Sequence, residues 1–227
     1  MLNIILIHSP LVGPSTLTPT ADALTELGMR CHVPSPINKG DELPRWRDWT
    51  STLIDELPMT NHAVIVGHSM GGLLAARLAS ELAAAGVVCL DANIPPETGY
   101  TPTVDPAFHE FVKSLPHDDG LLPPWQDWWP VDAFGEAHIS PELKLRILNE
   151  IPRLQLGWFD DAFDMPNWAD TKKAFLRTSP IFIEEANKAS ALGWSVVKLR
   201  GTHMHPTIQP DETAEAIILC CQQMGLM

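Results

Sequence analysis

A serine set between two glycines, where an apolar run gives way to a helix-forming run, has the sequence form of a covalent nucleophile on a sharp turn. Val64-Ile65-Val66-Gly67-His68-Ser69-Met70-Gly71-Gly72 has that form. A strand that turns abruptly into a helix holds its apex residue in a strained backbone conformation, and flanking side chains would collide there. Gly67 and Gly71 remove those side chains. The turn is expected to lift the Ser69 hydroxyl beyond the carboxyl edge of a sheet. There it would lie above the N-terminus of the next helix, where Met70 N–H and the helix dipole stabilise an oxyanion.

A serine hydroxyl is a poor nucleophile at neutral pH, so the chemistry needs an imidazole to take its proton and a third group to orient that imidazole. The segment Leu199-Arg200-Gly201-Thr202-His203-Met204-His205-Pro206 follows the last predicted strand, where a loop reaches back over the sheet edge. His203 is the expected base and His205 the alternative. The two histidines also raise zinc binding. Without a third ligand of suitable spacing the pair is a weak metal signal, and neither metal nor cofactor is expected.

The elements around these residues alternate. Residues 2–8 read as a buried strand, 16–27 as an amphipathic helix closed by Gly28, and 30–33 as a second strand before Pro34 and Pro36. Residues 46–57 read as a helix and 62–66 as the strand that enters the turn. A helix over 71–85 and a strand over 87–90 follow. Alternation of this kind implies an α/β fold, a mostly parallel sheet with helices on both faces. The alternation stops at Pro95 and resumes with a strand over 173–178, a helix over 182–192, a strand over 194–199 and a terminal helix from Pro210. The expected division is therefore a core of residues 1–95 and 172–227 with an inserted cap of residues 96–171.

The insert is rich in proline and tryptophan, with short helix candidates at 107–114 and 141–150. Trp125, Trp128, Trp129, Trp158 and Trp168 lie in it, out of eight tryptophans in the chain. An apolar lid would use such residues to exclude water and to contact the carbon skeleton of a substrate. Trp125, Trp128, Trp129 and Trp158 are the candidates for that contact, and packing against the core is the alternative use of each.

The 227 residues and an apolar share of 45% suit one globular domain. The longest apolar runs fall well short of the roughly 20 residues of a membrane helix, and the chain enters a strand without a basic leader and cleavable stretch. Cytoplasmic residence is the expectation. A formal charge of −13 leaves no basic patch for nucleic acid or an anionic membrane, so the expected partner is a small-molecule substrate. Cys31, Cys89, Cys220 and Cys221 lack metal spacing and read as reduced thiols.

Taken together, these residues resemble the α/β-hydrolase superfamily. The strand ending in His8-Ser9-Pro10 is similar to the family's oxyanion loop, Gly67 to Gly71 to its nucleophile elbow, and Gly201-Thr202-His203, with Pro210 seven residues on, to its histidine loop. That last spacing favours His203 over His205. In the family the acid usually follows the first strand beyond the cap, but Arg177-Thr178-Ser179-Pro180 holds no carboxylate there. Asp91, at the end of Val87-Val88-Cys89-Leu90, stands where haloalkane dehalogenases and lipases of the superfamily carry theirs. Glu184, Glu185, Asp160, Asp161, Asp164 and Asp170 are the weaker candidates.

The resemblance implies a serine hydrolase that cleaves a carboxylic ester, thioester or lactone of small to medium apolar character through an acyl-enzyme. Pro10 departs from the pattern, because it falls where a backbone N–H is normally donated and proline has none. Leu11 N–H supplies the donor if the loop is displaced by one residue, and the Ser9 or Ser15 hydroxyl is the alternative. That departure favours a second class, a cofactor-independent lyase or carbon–carbon hydrolase using the same triad. A hydrolase-like ligand receptor is the third.

Overall fold

The computed structural model describes residues 2–35, 46–55, 57, 62–132, 134 and 139–227; Pro36, read as a breaker after the second strand, lies outside them. The strands among these residues are β1 (Asn3–Ile7), β2 (Arg30–His32), β3 (Ala63–His68), β4 (Gly86–Leu90), β5 (Gly99–Pro102), β6 (Ala162–Met165), β7 (Lys172–Arg177) and β8 (Ser195–Lys198). Six of them form a parallel sheet in the order β2-β1-β3-β4-β7-β8. The helices are α1 (Thr18–Glu26), α2 (Trp46–Ile54), α3 (Gly71–Glu81), α4 (Pro106–Ser114), α5 (Pro141–Glu150), α6 (Ile183–Ala191), α7 (His205–Ile208) and α8 (Pro210–Gln223).

Period-two alternation sorts the strand side chains onto two faces. Ile5, Ile7, Ile65, Val87, Cys89 and Phe175 pack with residues of α2, α3 and α6, among them Trp46, Trp49 and Leu78. Ile4, Leu6, Val64, Val66, Val88, Leu90 and Leu176 face the other way, onto Leu24 of α1 and Ile217 and Cys220 of α8. Because both faces are covered, the central strands read as unbroken apolar runs. Burial of each aliphatic side chain stabilises the layer by about 1.5–3 kcal/mol.

Register brings the carboxyl ends of the strands together. Ile7 pairs with Gly67, His68 with Leu90, Leu90 with Leu176, and Arg177 with Lys198. The strand order reverses between β1 and β3, and loops at such a switch point open a crevice for ligands. Five loops therefore converge at one edge: those beginning at His8, Ser69, Asp91, Thr178 and Leu199.

Several element boundaries differ from the sequence reading for local reasons. The helix expected over 16–27 is a 3-10 turn, Pro14–Thr16, followed by α1. Pro19 lacks an N–H and is tolerated only in a first turn, so α1 begins at Thr18. The helix expected to reach residue 85 stops at Glu81, since Ala83 takes a left-handed φ of 48°. Between β4 and β7 the chain contains an antiparallel pair, β5 with β6, in the register Gly99 to Met165, where no strands were expected. The helices of this segment start where the local chemistry dictates. Asp105 Oδ1 accepts from Phe108 N–H at 2.9 Å ahead of α4, and Ser140 Oγ from Leu143 N–H at 3.1 Å ahead of α5. Each cap precedes a proline that needs no hydrogen-bond acceptor. No helix among the described residues is long and apolar enough to cross a membrane.

Candidate active site

Ser69 caps the junction of β3 and α3 with a φ of 56°, a left-handed conformation that costs a non-glycine residue about 1–3 kcal/mol. Its neighbours explain why the turn tolerates nothing larger than glycine. A Cβ on Gly67 would lie 2.4 Å from Gly71 O and 2.7 Å from Ala75 Cβ, and one on Gly71 would lie 2.3 Å from Ile7 O. Ser69 N–H donates to Leu90 O at 3.1 Å, which ties the apex to the neighbouring strand. Ser69 is half-buried and Met70 N–H has no acceptor among the described residues.

Asp91 ends that neighbouring strand in the same left-handed region, φ 45°, with no solvent exposure. Its N–H donates to Leu176 O at 2.8 Å. One carboxylate oxygen, Oδ1, accepts from Thr178 N–H at 2.8 Å and Ser179 N–H at 3.1 Å, while Oδ2 lies 3.0 Å from His203 Nδ1. Burial opposes the charge, but the hydrogen bonds from His203, Ser179 and Thr178 outweigh it and hold the Asp91 carboxyl below its usual value. The carboxylate is thus ionised at neutral pH. It fixes His203 as the tautomer with hydrogen on Nδ1, which leaves Nε2 free to accept a proton.

Two rings bracket His203. Phe182 stacks on one side with centroids 5.4 Å apart and an interplanar angle of 28°, and His68 lies at 4.7 Å. His68 is buried, and its Nε2–H donates to the carbonyl of His203 itself at 2.9 Å. Burial first, and then the neighbouring His203, pull the His68 pKa down to about 3. A ring kept neutral in this way anchors the loop without placing a second positive charge beside His203.

The alternatives for base and acid have other partners or are exposed, and of them Glu184 and Glu185 line the same cavity as Ser69 and His203. His205 turns away and pairs with Glu212 at 3.0 Å, packed so tightly under Gly201 that a Cβ there would meet its ring at 2.0 Å. Glu185 accepts from Ile94 N–H at 2.9 Å, Asp160 pairs with His109 at 2.8 Å, and Glu184, Asp164 and Asp170 are exposed. None of these has a hydrogen bond to His203 among the described residues.

Above the carboxyl edge lies a cavity of about 1090 Å³, walled by Ser9, Leu11, His68, Ser69, Met70 and His203 on the sheet side and by residues of the inserted segment on the other. Of the residues expected to contact substrate, Trp125 and Trp129 line it, and Pro10, Trp128 and Trp158 do not. Trp128 donates its Nε1–H to Pro123 O at 2.8 Å and faces Phe159, while Trp158 packs on Trp46 at 4.9 Å. These two tryptophans join the inserted segment to itself and to α2. In the loop after β1, Leu11 N–H donates to Ser9 Oγ at 3.3 Å and Val12 N–H to Ser9 O at 3.1 Å.

Some site residues had no signal of their own in the sequence. Thr178 and Ser179 stand where a carboxylate was missing from the expected loop, and their backbone N–H groups instead hold the carboxylate of the adjacent strand. His68 occupies a variable position of the elbow, and its bond to the His203 carbonyl joins two loops far apart in the chain.

A doubly wound sheet with a strained serine at its switch point, lining one cavity with a histidine that is paired to an aspartate, defines the class of α/β hydrolases. Residues 5–216 match the alpha/beta hydrolase family along nearly the whole chain, and the protein belongs to that family. No sequence among the curated proteins gives a match. Among solved structures, a variant of tomato methylketone synthase I superposes with a TM-score of 0.75 at 13% identity, covering 98% of both chains. An extracellular α/β-hydrolase from a Paenibacillus species gives 0.68 at 16% identity, over 97% of this chain and 99% of that one. A pyrethroid hydrolase from Sphingobium faniae JZ-2 gives 0.67 at 19%, over 97% of each. At these identities the likeness is one of fold.

Proposed function

We propose that this protein is a serine hydrolase that cleaves a carboxylic ester, thioester or lactone of small to medium apolar character through an acyl-enzyme. The observation that carries the reading is the 3.0 Å contact between His203 and buried Asp91 at the wall of the cavity that Ser69 lines. Ser69 Oγ attacks the substrate carbonyl as His203 Nε2 takes its proton, and Asp91 stabilises the imidazolium that results. His203 returns the proton to the leaving alcohol or thiol as the tetrahedral adduct collapses. Water, deprotonated by the same ring, then releases the acid and restores Ser69.

The cavity volume lies just above the range of roughly 300–1,000 Å³ typical of pockets for drug-sized ligands. Leu11, Ile94, Phe108, Trp125 and Trp129 in its walls suit an apolar skeleton. Activity assays should show turnover of short-chain nitrophenyl esters by the wild type and none above background by Ser69→Ala. Equal rates in the two would remove the proposal.

Pro10 favours a second reading, a cofactor-independent lyase or carbon–carbon hydrolase, since a pocket with fewer oxyanion donors leaves proton transfer by Ser69 and His203 as the main contribution. The products discriminate: a carboxylic acid released with an alcohol or thiol supports the first reading, whereas a carbonyl compound released without water uptake, or water uptake that cleaves a carbon–carbon bond, supports the second.

A further inference from the structure

The loop after β1 stands where a second oxyanion donor is expected, and at residues 10–12 its backbone has no N–H left for that role. Pro10 carries no N–H. The next two N–H groups are turned onto a single residue, Leu11 N–H to Ser9 Oγ at 3.3 Å and Val12 N–H to Ser9 O at 3.1 Å. Ser9 is 4% exposed and lines the cavity together with Ser69 and Met70. A hydroxyl has one hydrogen and two lone pairs. The Leu11 bond uses a lone pair, and among the described residues the hydrogen of Ser9 Oγ has no acceptor.

Packing brings the chain at Ser9 up to the turn that holds the nucleophile, and both serines line one cavity. A Cβ on Gly71 would lie 2.3 Å from Ile7 O and 2.8 Å from His8 O, so the end of β1 rests against the first turn of α3. Ser9 is the next residue along, beside the turn whose Met70 N–H also lacks an acceptor among the described residues.

We infer that the Ser9 hydroxyl is the second oxyanion donor of this enzyme, standing in for the backbone N–H that Pro10 lacks. The inference rests on the acyl-enzyme reading above. As negative charge develops on the substrate carbonyl oxygen, Ser9 O–H donates to it while Leu11 N–H donates to Ser9 Oγ. The two bonds polarise each other at a nearly buried hydroxyl. Ser9 keeps its proton throughout and forms no bond to carbon, so it is a catalytic residue by electrostatics alone.

Such a donor acts on the transition state more than on bound substrate, so its removal lowers kcat and leaves KM nearly unchanged. The test compares wild type, Ser69→Ala, Ser9→Ala, Ser9→Thr and the double variant Ser9→Ala/Pro10→Ala on one nitrophenyl ester, with circular dichroism and thermal melts for each. Ser9→Ala is expected to lose on the order of 10²-fold in kcat at constant KM while melting as wild type does. Ser9→Thr, which retains the hydroxyl, should stay within several-fold of wild type. The double variant, which regains an N–H at position 10, should recover part of the loss, an outcome that a packing role for Ser9 would not produce. A Ser9→Ala enzyme with wild-type kcat overturns the inference, as does a loss in kcat that Ser9→Thr does not restore. If wild type turns over no faster than Ser69→Ala, the acyl-enzyme reading itself fails and this assignment falls with it.

Discussion

Asp91 carries two tasks at one carboxylate: Oδ1 joins β4 to the start of the loop after β7, and Oδ2 orients His203. Asn at this position keeps an oxygen for the two backbone N–H groups but turns an NH₂ toward His203 Nδ1, which forces the opposite tautomer. Asp91→Asn is therefore expected to fold normally and to lose on the order of 10⁴-fold in kcat. Stopped-flow or steady-state ester hydrolysis reads that loss, and a near-wild-type rate would place the acid elsewhere. Ser69 and His203 were legible in the sequence because their neighbours are constrained locally: a glycine on either side, or a loop directly after a strand. Asp91 was legible only through its place after β4. His68, Thr178 and Ser179 act through contacts across the sheet edge, and nothing in their immediate neighbours marks that.

At the scale of elements, the segment between β4 and β7 is held to the loop after β1 by a polar clamp. Glu150, the last residue of α5, accepts from Ser15 N–H at 2.8 Å and from Ser15 Oγ at 2.7 Å. The approach is close enough that a Cβ on Gly13 would sit 2.2 Å from Glu150 Cβ. Glu150→Ala leaves both Ser15 donors without this partner, so the variant should be about 1–3 kcal/mol less stable in urea titration. Glu150→Gln retains an acceptor oxygen and should lose less. Equal stability of all three proteins would assign the junction to apolar packing.

The parallel strands and their helices were readable because their periodicities are long and bounded by Gly and Pro, and α5 begins and ends as read. β5 and β6 were not. Each is four residues long, β5 includes Gly99 and Pro102, and they pair across about sixty residues of intervening chain, so no local pattern marks them. The same holds for the tryptophans. Their composition announces an apolar layer, but the side each ring presents depends on packing with distant partners, as with Trp158 on Trp46.

For the whole molecule, the site combines a sheet covered by helices on both faces with buried imidazoles that resist protonation. Burial holds His8 below its ordinary value of 6.5 and brings His68 to about 3. In the unfolded chain both rings take up protons as the pH falls below about 6.5, whereas the folded protein excludes them, so acid favours unfolding through that window. Asp91 acts further down. Its folded carboxyl lies below the ordinary 3.8, so its stabilisation is present above that pH and is lost as the pH falls through the lowered value. Differential scanning calorimetry should show the melting temperature declining from pH 7 to pH 4 and dropping again below it. A flat profile over pH 4–7 would mean that the two histidines are solvated.

The central claim is that Ser69 forms a covalent bond with an electrophilic carbonyl or its mimic. The most direct measurement is peptide-mapping mass spectrometry after treatment with a fluorophosphonate. The account predicts one phosphonyl adduct on Ser69, formed far more slowly when His203 is replaced by alanine and absent in Ser69→Ala. An unmodified Ser69 in the folded wild type, or an adduct on another residue that persists in Ser69→Ala, would contradict it.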